Sequence, residues 1–235
     1  MANKKIKKLR KNNYPIKKKT KFAHRKKIVL VMNKKLTIIN IALAIVAAVL
    51  AYLVYDSIRQ PVVFENSKSE REIKVVQNLK DIRSTEGLFK ENYNRYTANF
   101  DSLIEFIRTG ELPVVNIIPD PNDTTFTKTI NDTVGYIKVL DSLFGNRPNF
   151  DVESLRYIPF SEPRQEFDIQ AGYIMRGGMN VPVFEVKAHY KTYLNGLDEQ
   201  RIRNTAAQRE NLNKYPGMKV GSMNEASIDG NWENL

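Results

Sequence analysis

The sequence predicts an α+β protein with one transmembrane helix, followed by a helical segment packed on an antiparallel sheet. Three observations carry that expectation. Residues 36–55 form a run of twenty uncharged residues; Val75 to Tyr93 places apolar side chains at helical spacing; and Phe184, Val186, Ala188 and Tyr190 alternate with Glu185, Lys187 and His189. A length of 235 residues suits one ordinary domain plus an anchor, and 42% hydrophobic with 27% charged residues is the composition of a folding chain.

The formal charge of +11 is concentrated at one end. Residues 1–35 hold 15 Lys and Arg and no acid, leaving 22 bases against 26 acids in the other 200 residues. The folded part is slightly acidic, so the charge is not that of a nucleic-acid binder. Tyr14 and Phe22 are the only aromatic residues in that tail, too few for a base-stacking platform. Met32-Asn33-Lys34-Lys35 before the apolar run is a complete start for an anchored protein. Residues 1–31 have the Lys, Asn and Ile bias of translated AT-rich DNA and are read as a gene-model extension. If translated, residues 1–35 form a basic cytoplasmic tail held near anionic headgroups.

Leu36 to Tyr55, LTIINIALAIVAAVLAYLVY, has Asn40 as its one strongly polar side chain. At ~1.5 Å per residue it makes roughly 30 Å of helix, the thickness of a bilayer's hydrocarbon core. A helix satisfies its own backbone polar groups, so such a run can sit in lipid. Lys34 and Lys35 precede it, Asp56 follows, and Tyr52 and Tyr55 lie where an aromatic belt forms. The excess of cations before the run places the N-terminus in the cytoplasm and residues 56–235 outside. Cleavage after Ala51, as in a signal peptide, is the alternative; the apolar run continues past that point through Leu53 and Val54.

Pro61 predicts a short extended linker over residues 56–65. The extracytoplasmic domain then spans residues 66–235. Its first helix starts near Ser67, with Glu70 completing a capping box. Val75, Leu79, Ile82, Phe89 and Tyr93 form one stripe, interrupted by Glu86. Such a stripe faces either the domain's own core or a partner helix. Phe100, Leu103, Ile104 and Ile107 predict a second helix, capped by Asn99 or Asp101 and ended by Gly110. Leu112 to Thr133, with Pro119-Asp120-Pro121-Asn122-Asp123, has loop composition. Strand-like runs follow at Val134–Leu140, Leu155–Phe160, Phe167–Met175 and Val181–Tyr190, with a turn at Gly177-Gly178. A polar helix is expected over Leu197–Asn213, before a Gly-rich end.

No residue carries a recognisable chemistry. His189, the domain's one histidine, is expected on a wet strand face without a sequence-near second metal ligand. The sequence contains no GxSxG elbow, Walker loop, HExxH or dinucleotide fingerprint. Asp151, Glu153, Glu162, Glu166 and Asp168 are interspersed with Arg147, Arg156 and Arg164, the pattern of a solvated surface rather than a carboxylate pair. Without cysteine there is neither disulfide nor thiolate site. No catalytic residue, cofactor or metal is therefore expected. The partners expected are the membrane and other envelope proteins or a second copy.

Two resemblances add to this reading. Asn78 to Ile107, NLKDIRSTEGLFKENYNRYTANFDSLIEFI, resembles the region after the membrane helix in type IV pilins and secretion pseudopilins. Tyr93 and Tyr96 match the tyrosine-rich helix end of those families; Phe100, Leu103 and Phe106 match the element after it. The resemblance implies a pilin-like fold, with a long N-terminal helix against an antiparallel sheet. Leu36–Tyr55 lacks the Gly and the Glu at which pilin precursors are processed and assembled, so it does not imply that maturation. Lys34 to Glu233 also resembles an uncharacterised family of single-pass envelope proteins from gut-dwelling Gram-negative bacteria. Asn78–Arg83, Val139–Phe144, Leu155–Phe160, Lys214–Gly217 and Gly230–Glu233 carry that resemblance. It implies inner-membrane anchoring, a periplasmic domain, and O-glycosylation at Asp-Ser/Thr-aliphatic or Asp-Thr-Thr triplets. Such triplets begin at Asp56, Asp101, Asp123, Asp132 and Asp141, and the loop residues Thr124 and Thr133 are the leading candidates. Asp-Ser and Asp-Thr are also ordinary cap and turn pairs.

An assembly or scaffold component without enzymatic activity follows from the anchor, the element order and the missing catalytic constellation. The alternative is a periplasmic ligand-binding or sensing module for glycan or peptidoglycan, with Tyr157, Tyr173, Tyr190, Tyr193, Tyr215 and Trp232 as stacking surfaces.

Overall fold

Helix α1, Lys19–Tyr93, is the longest element of the computed structural model, which describes the backbone of residues 19–119 and 129–233 and the side chains of residues 34–116 and 133–233. The chain divides at Pro61 into two compact units, residues 1–61 and 62–235. In the first, the described side chains belong to one helix, and every residue from Leu36 to Tyr55 is exposed.

The expected extended linker over residues 56–65 is corrected: these residues are helical, and Pro61 lies inside α1. A proline removes one backbone donor and crowds the preceding turn, but does not by itself end a helix with strong helical residues on both sides. Gln60 Nε2 donates to Asp56 Oδ2 at 2.6 Å across that turn. Ser67 is accordingly an interior residue of α1, not a helix cap.

In the second unit, the C-terminal part of α1 is the spine of the core. Phe64, Val75, Leu79, Ile82 and Phe89 are buried, because a four-three spacing keeps them on one face. Helix α2, Phe100–Thr109, packs Phe100, Leu103, Ile104, Phe106 and Ile107 into the same core. Asn99 caps it, its side chain accepting from Asp101 N at 2.8 Å, and Gly110 ends it, as the sequence predicts.

The sheet is β3, Asp168–Arg176; β4, Met179–His189; and β5, Gly217–Gly221, in the order β3-β4-β5 and antiparallel throughout. Alternation along β4 turns Phe184, Val186 and Ala188 to the core. Its other face carries a cross-strand ion ladder. Glu185 meets Lys219 at 2.9 Å and Lys187 at 3.2 Å, and Lys187 meets Asp168 at 3.3 Å. The short α4, Tyr190–Tyr193, follows β4 and buries both tyrosines. Arg71 of α1 donates to Tyr193 O at 2.9 Å and Asn195 O at 2.8 Å, binding the carbonyls at the end of α4 to the spine. Helix α5, Glu199–Asn211, adds Ile202 and Ala206 to the core.

Two further expectations are corrected. Leu112–Pro119, expected as loop, is most of strand β1, Glu111–Pro119, paired antiparallel with β2, Thr129–Lys138. The β-branched run Val114-Val115-Asn116-Ile117-Ile118 outweighs the flanking prolines. Leu155–Phe160, expected as strand, begins inside a 3₁₀ turn at Val152–Arg156. Asp151 starts it by accepting from Glu153 N at 3.1 Å. Helix α3, Val139–Phe144, links β2 to that turn.

Candidate interaction surfaces

The first surface is the α1 segment Leu36–Tyr55. It is long and apolar enough to cross a membrane, and none of it is covered by the chain's other described residues. A soluble core helix of that composition would be buried. The protein therefore has the make-up of a single-pass membrane protein, with one such helix among the described residues. The Asn40 side chain makes no hydrogen bond with other described residues.

The second surface is the ribbon formed by β1 and β2. The two strands form their own two-stranded sheet, separate from β3-β4-β5. The ribbon closes at its base through Val139 N donating to Gly110 O at 3.0 Å. Leu112 packs partly against the core; beyond it, Val114, Val115, Val134, Tyr136 and Ile137 are exposed. Tyr136, opposite Pro113, is 69% exposed. Leu112 and Ile137 share one face of the ribbon, while Pro113 and Tyr136 share the other. Apolar groups on both faces are more than an isolated hairpin needs and more than water favours. Sequence reasoning placed this segment in a loop and missed the surface; the β-branched run was the signal.

The stripe Val75, Leu79, Ile82, Phe89 and Tyr93 resolves in favour of the core. The first four are buried by the domain's own elements, so the reading of the stripe as a seam to a partner helix is corrected. Tyr93, at the helix end, is 51% exposed, with its ring against Phe89 and Phe106 at centroid distances of 4.5 and 5.8 Å.

Within that stripe Glu86 is 0% exposed. Its Oε2 accepts from Thr97 N at 3.1 Å, and its Oε1 has no hydrogen-bond partner among the described residues. Burial drives its pKa up to about 8 against the opposing effect of the Thr97 N–H, so the carboxyl is neutral at pH 7. It lines none of the clefts described below. One turn earlier, Asp81 is gripped in a two-pronged contact by Arg147, at 2.7 and 2.8 Å. The Arg147 guanidinium also lies over Phe144 and Phe150, whose rings stack at 4.0 Å.

The remaining sequence candidates do not converge. His189 Nδ1 accepts from Lys191 N at 3.0 Å and so caps α4; burial lowers its pKa, keeping the ring neutral. The acidic cluster is dispersed into ion pairs: Arg156 reaches Asp101 at 3.1 Å and Glu166 at 3.0 Å, and Arg108 reaches Glu153 at 2.8 Å. No group of three or more potential metal ligands occurs among the described residues. Tyr190 and Tyr193 are buried, Trp232 packs against the core, and Tyr157 lies under Arg164 at 4.1 Å. Clefts of about 280 Å³, lined by Lys191, Glu199 and Arg203, and about 210 Å³, lined by Lys68, Arg209 and Lys214, are smaller than ordinary ligand pockets. Thr133 is exposed; Thr124 lies outside the described residues. Comparison with known proteins finds no matching family model, no similar curated protein and no similar solved structure.

Proposed function

We propose that the chain is a non-enzymatic assembly or scaffold component of a bacterial envelope, anchored in the inner membrane with its N-terminus cytoplasmic. Residues 62–235 form its periplasmic, pilin-like domain. The observation that carries this reading is the β1–β2 ribbon, whose exposed Val114, Val134, Tyr136 and Ile137, divided between its two faces, are all uncharged and apolar. Apolar surface presented on a protruding ribbon is stabilised by a protein partner that removes it from water. The long helix followed by small antiparallel sheets supports the pilin-like element order. Burial of Tyr190 and Tyr193 removes two of the candidate stacking rings and favours a scaffold over a glycan-binding module, although Tyr173 stays exposed. Thr133, on the exposed ribbon, is the proposed O-glycosylation site with the best access for a bulky sugar.

A photo-crosslinking residue at position 136 of the full-length chain, in its native membrane, tests the reading. A discrete adduct is expected there and none at exposed Glu199 on α5. Absence of any adduct at 136, with a partnerless and monodisperse domain, would sink it.

A further inference from the structure

Strand β3 is an outer strand of the main sheet. It pairs with β4 in unbroken register from Asp168↔Lys187 to Arg176↔Met179, and among the described residues no strand lies on its other side. Alternate residues turn their N–H and C=O groups to that free edge, and no further backbone hydrogen bond reaches residues 168–176 among the described residues. Exposed edges are ordinarily guarded by proline, lysine, a bulge or shortness. The ribbon shows such guards: Pro113 and Pro119 in β1, and a register shift at Val114/Val115. Strand β3, Asp-Ile-Gln-Ala-Gly-Tyr-Ile-Met-Arg, has nine residues and none of these devices.

Its side chains are also arranged to match themselves when the strand is reversed. The two charges stand at opposite ends with opposite signs, and Gly172 is the midpoint. Antiparallel pairing about Gly172 sets Asp168 against Arg176 of a second copy, twice by symmetry. Arg176 has no ion pair among the described residues; Asp168 meets Lys187 and retains acceptor capacity. On the core-side face, Ile169 and Ala171 are partly buried, while Tyr173 and Met175 are 59% and 71% exposed. The same register lays Tyr173 beside Ala171 of the second copy and Met175 beside Ile169, covering the two exposed side chains.

We propose that two copies of this chain associate through β3, joining their sheets into one continuous six-stranded antiparallel sheet with its two-fold axis at Gly172. This is a separate surface from the ribbon, and it stands whether or not the ribbon has a partner.

The chain has no cysteine, so introduced thiols report the register in the full-length protein. Gly172→Cys sets two thiols opposite each other, within disulfide reach, once the flexible end of Met223, 3.2 Å from the new Cβ, gives way. Gln170→Cys and Ile174→Cys alone leave like thiols roughly 14 Å apart, whereas the double variant sets 170 against 174 of the second copy. Covalent dimer is expected from Gly172→Cys and from the double variant, and not from either other single variant. Arg176→Asp, at an exposed position, should weaken the dimer about tenfold by replacing two attractive cross-strand pairs with repulsive ones. A monomeric mass for the unmodified protein in detergent at micromolar concentration overturns the proposal. So does a dimer that crosslinks equally at 170, 172 and 174, or one indifferent to Arg176→Asp. Loss of the β3 dimer with a retained adduct at position 136 rejects this inference and leaves the assembly role standing.

Discussion

Glu86 occupies a place where the stripe of α1 would accept an apolar side chain. Its proton stays on to about pH 8 in the fold, whereas the unfolded chain releases it near 4.5. Between those values the folded state holds one more proton than the unfolded state, so this group makes stability fall as pH rises through that window, with no contribution to the slope outside it. The gap between 4.5 and about 8 corresponds to roughly 5 kcal/mol. Glu86→Gln keeps an acceptor for Thr97 N–H and removes the titration. Its urea midpoint should exceed that of the unmodified protein at about pH 8, and the difference should shrink towards about pH 5. Parallel pH profiles for the two proteins would contradict the assignment. Arg147→Ala leaves the buried Asp81 carboxylate with Gln77 as its side-chain donor, without a charged partner, and uncovers Phe144 and Phe150; a loss of about 2 kcal/mol in denaturant titration is expected. At this scale the sequence was partly legible. Spacing alone exposed Glu86 as a break in the stripe, but its neutrality comes from burial against the opposing Thr97 N–H, and spacing does not encode how completely the fold buries it.

Elements with a strong period were readable, and those with mixed signals were not. The alternation of Phe184, Val186 and Ala188 marked β4, and the pair Asn99 or Asp101 with Gly110 bracketed α2, which Asn99 caps. Strand β5 was hidden in a Gly-rich stretch because its glycines are there for contact with β4. A Cβ at Gly217 would run into Ala188 O, and one at Gly221 into Phe184 O, with Gly221 at φ +74° besides. Pro61 misled in the other direction, since a single proline inside a long apolar helix kinks or strains it without ending it. The ribbon supports its own prediction. Because residues beyond Leu112 add little to the core, replacing 113–136 by a short turn between the paired ends should change the thermal midpoint by only a few degrees. The same deletion should abolish partner capture. A large drop in midpoint would mean that the ribbon belongs to the core after all.

For the whole molecule, the uncharged exposed helix decides the environment. Full-length protein should remain with membranes through alkaline carbonate extraction, and Leu43→Arg with Val46→Arg should release a substantial fraction, since each charge at mid-span costs about 3 kcal/mol. The legible part of the molecule is thus the anchor, the spine and the central strand, all set by local periodicity. Which surfaces remain open was not legible, because openness depends on where distant elements stop.

The spine has one more consequence. Phe64 to Phe89 are made early; α2 follows soon after and covers Phe89, but others that complete the core, such as Tyr193, come more than a hundred positions later, and the Arg71 contact to Tyr193 spans 122 residues. At ~5–20 residues per second, a ribosome takes roughly 5–25 s to supply them. During that interval the greasy flank of the nascent helix is only partly covered, and it is there that a holding chaperone would have its client.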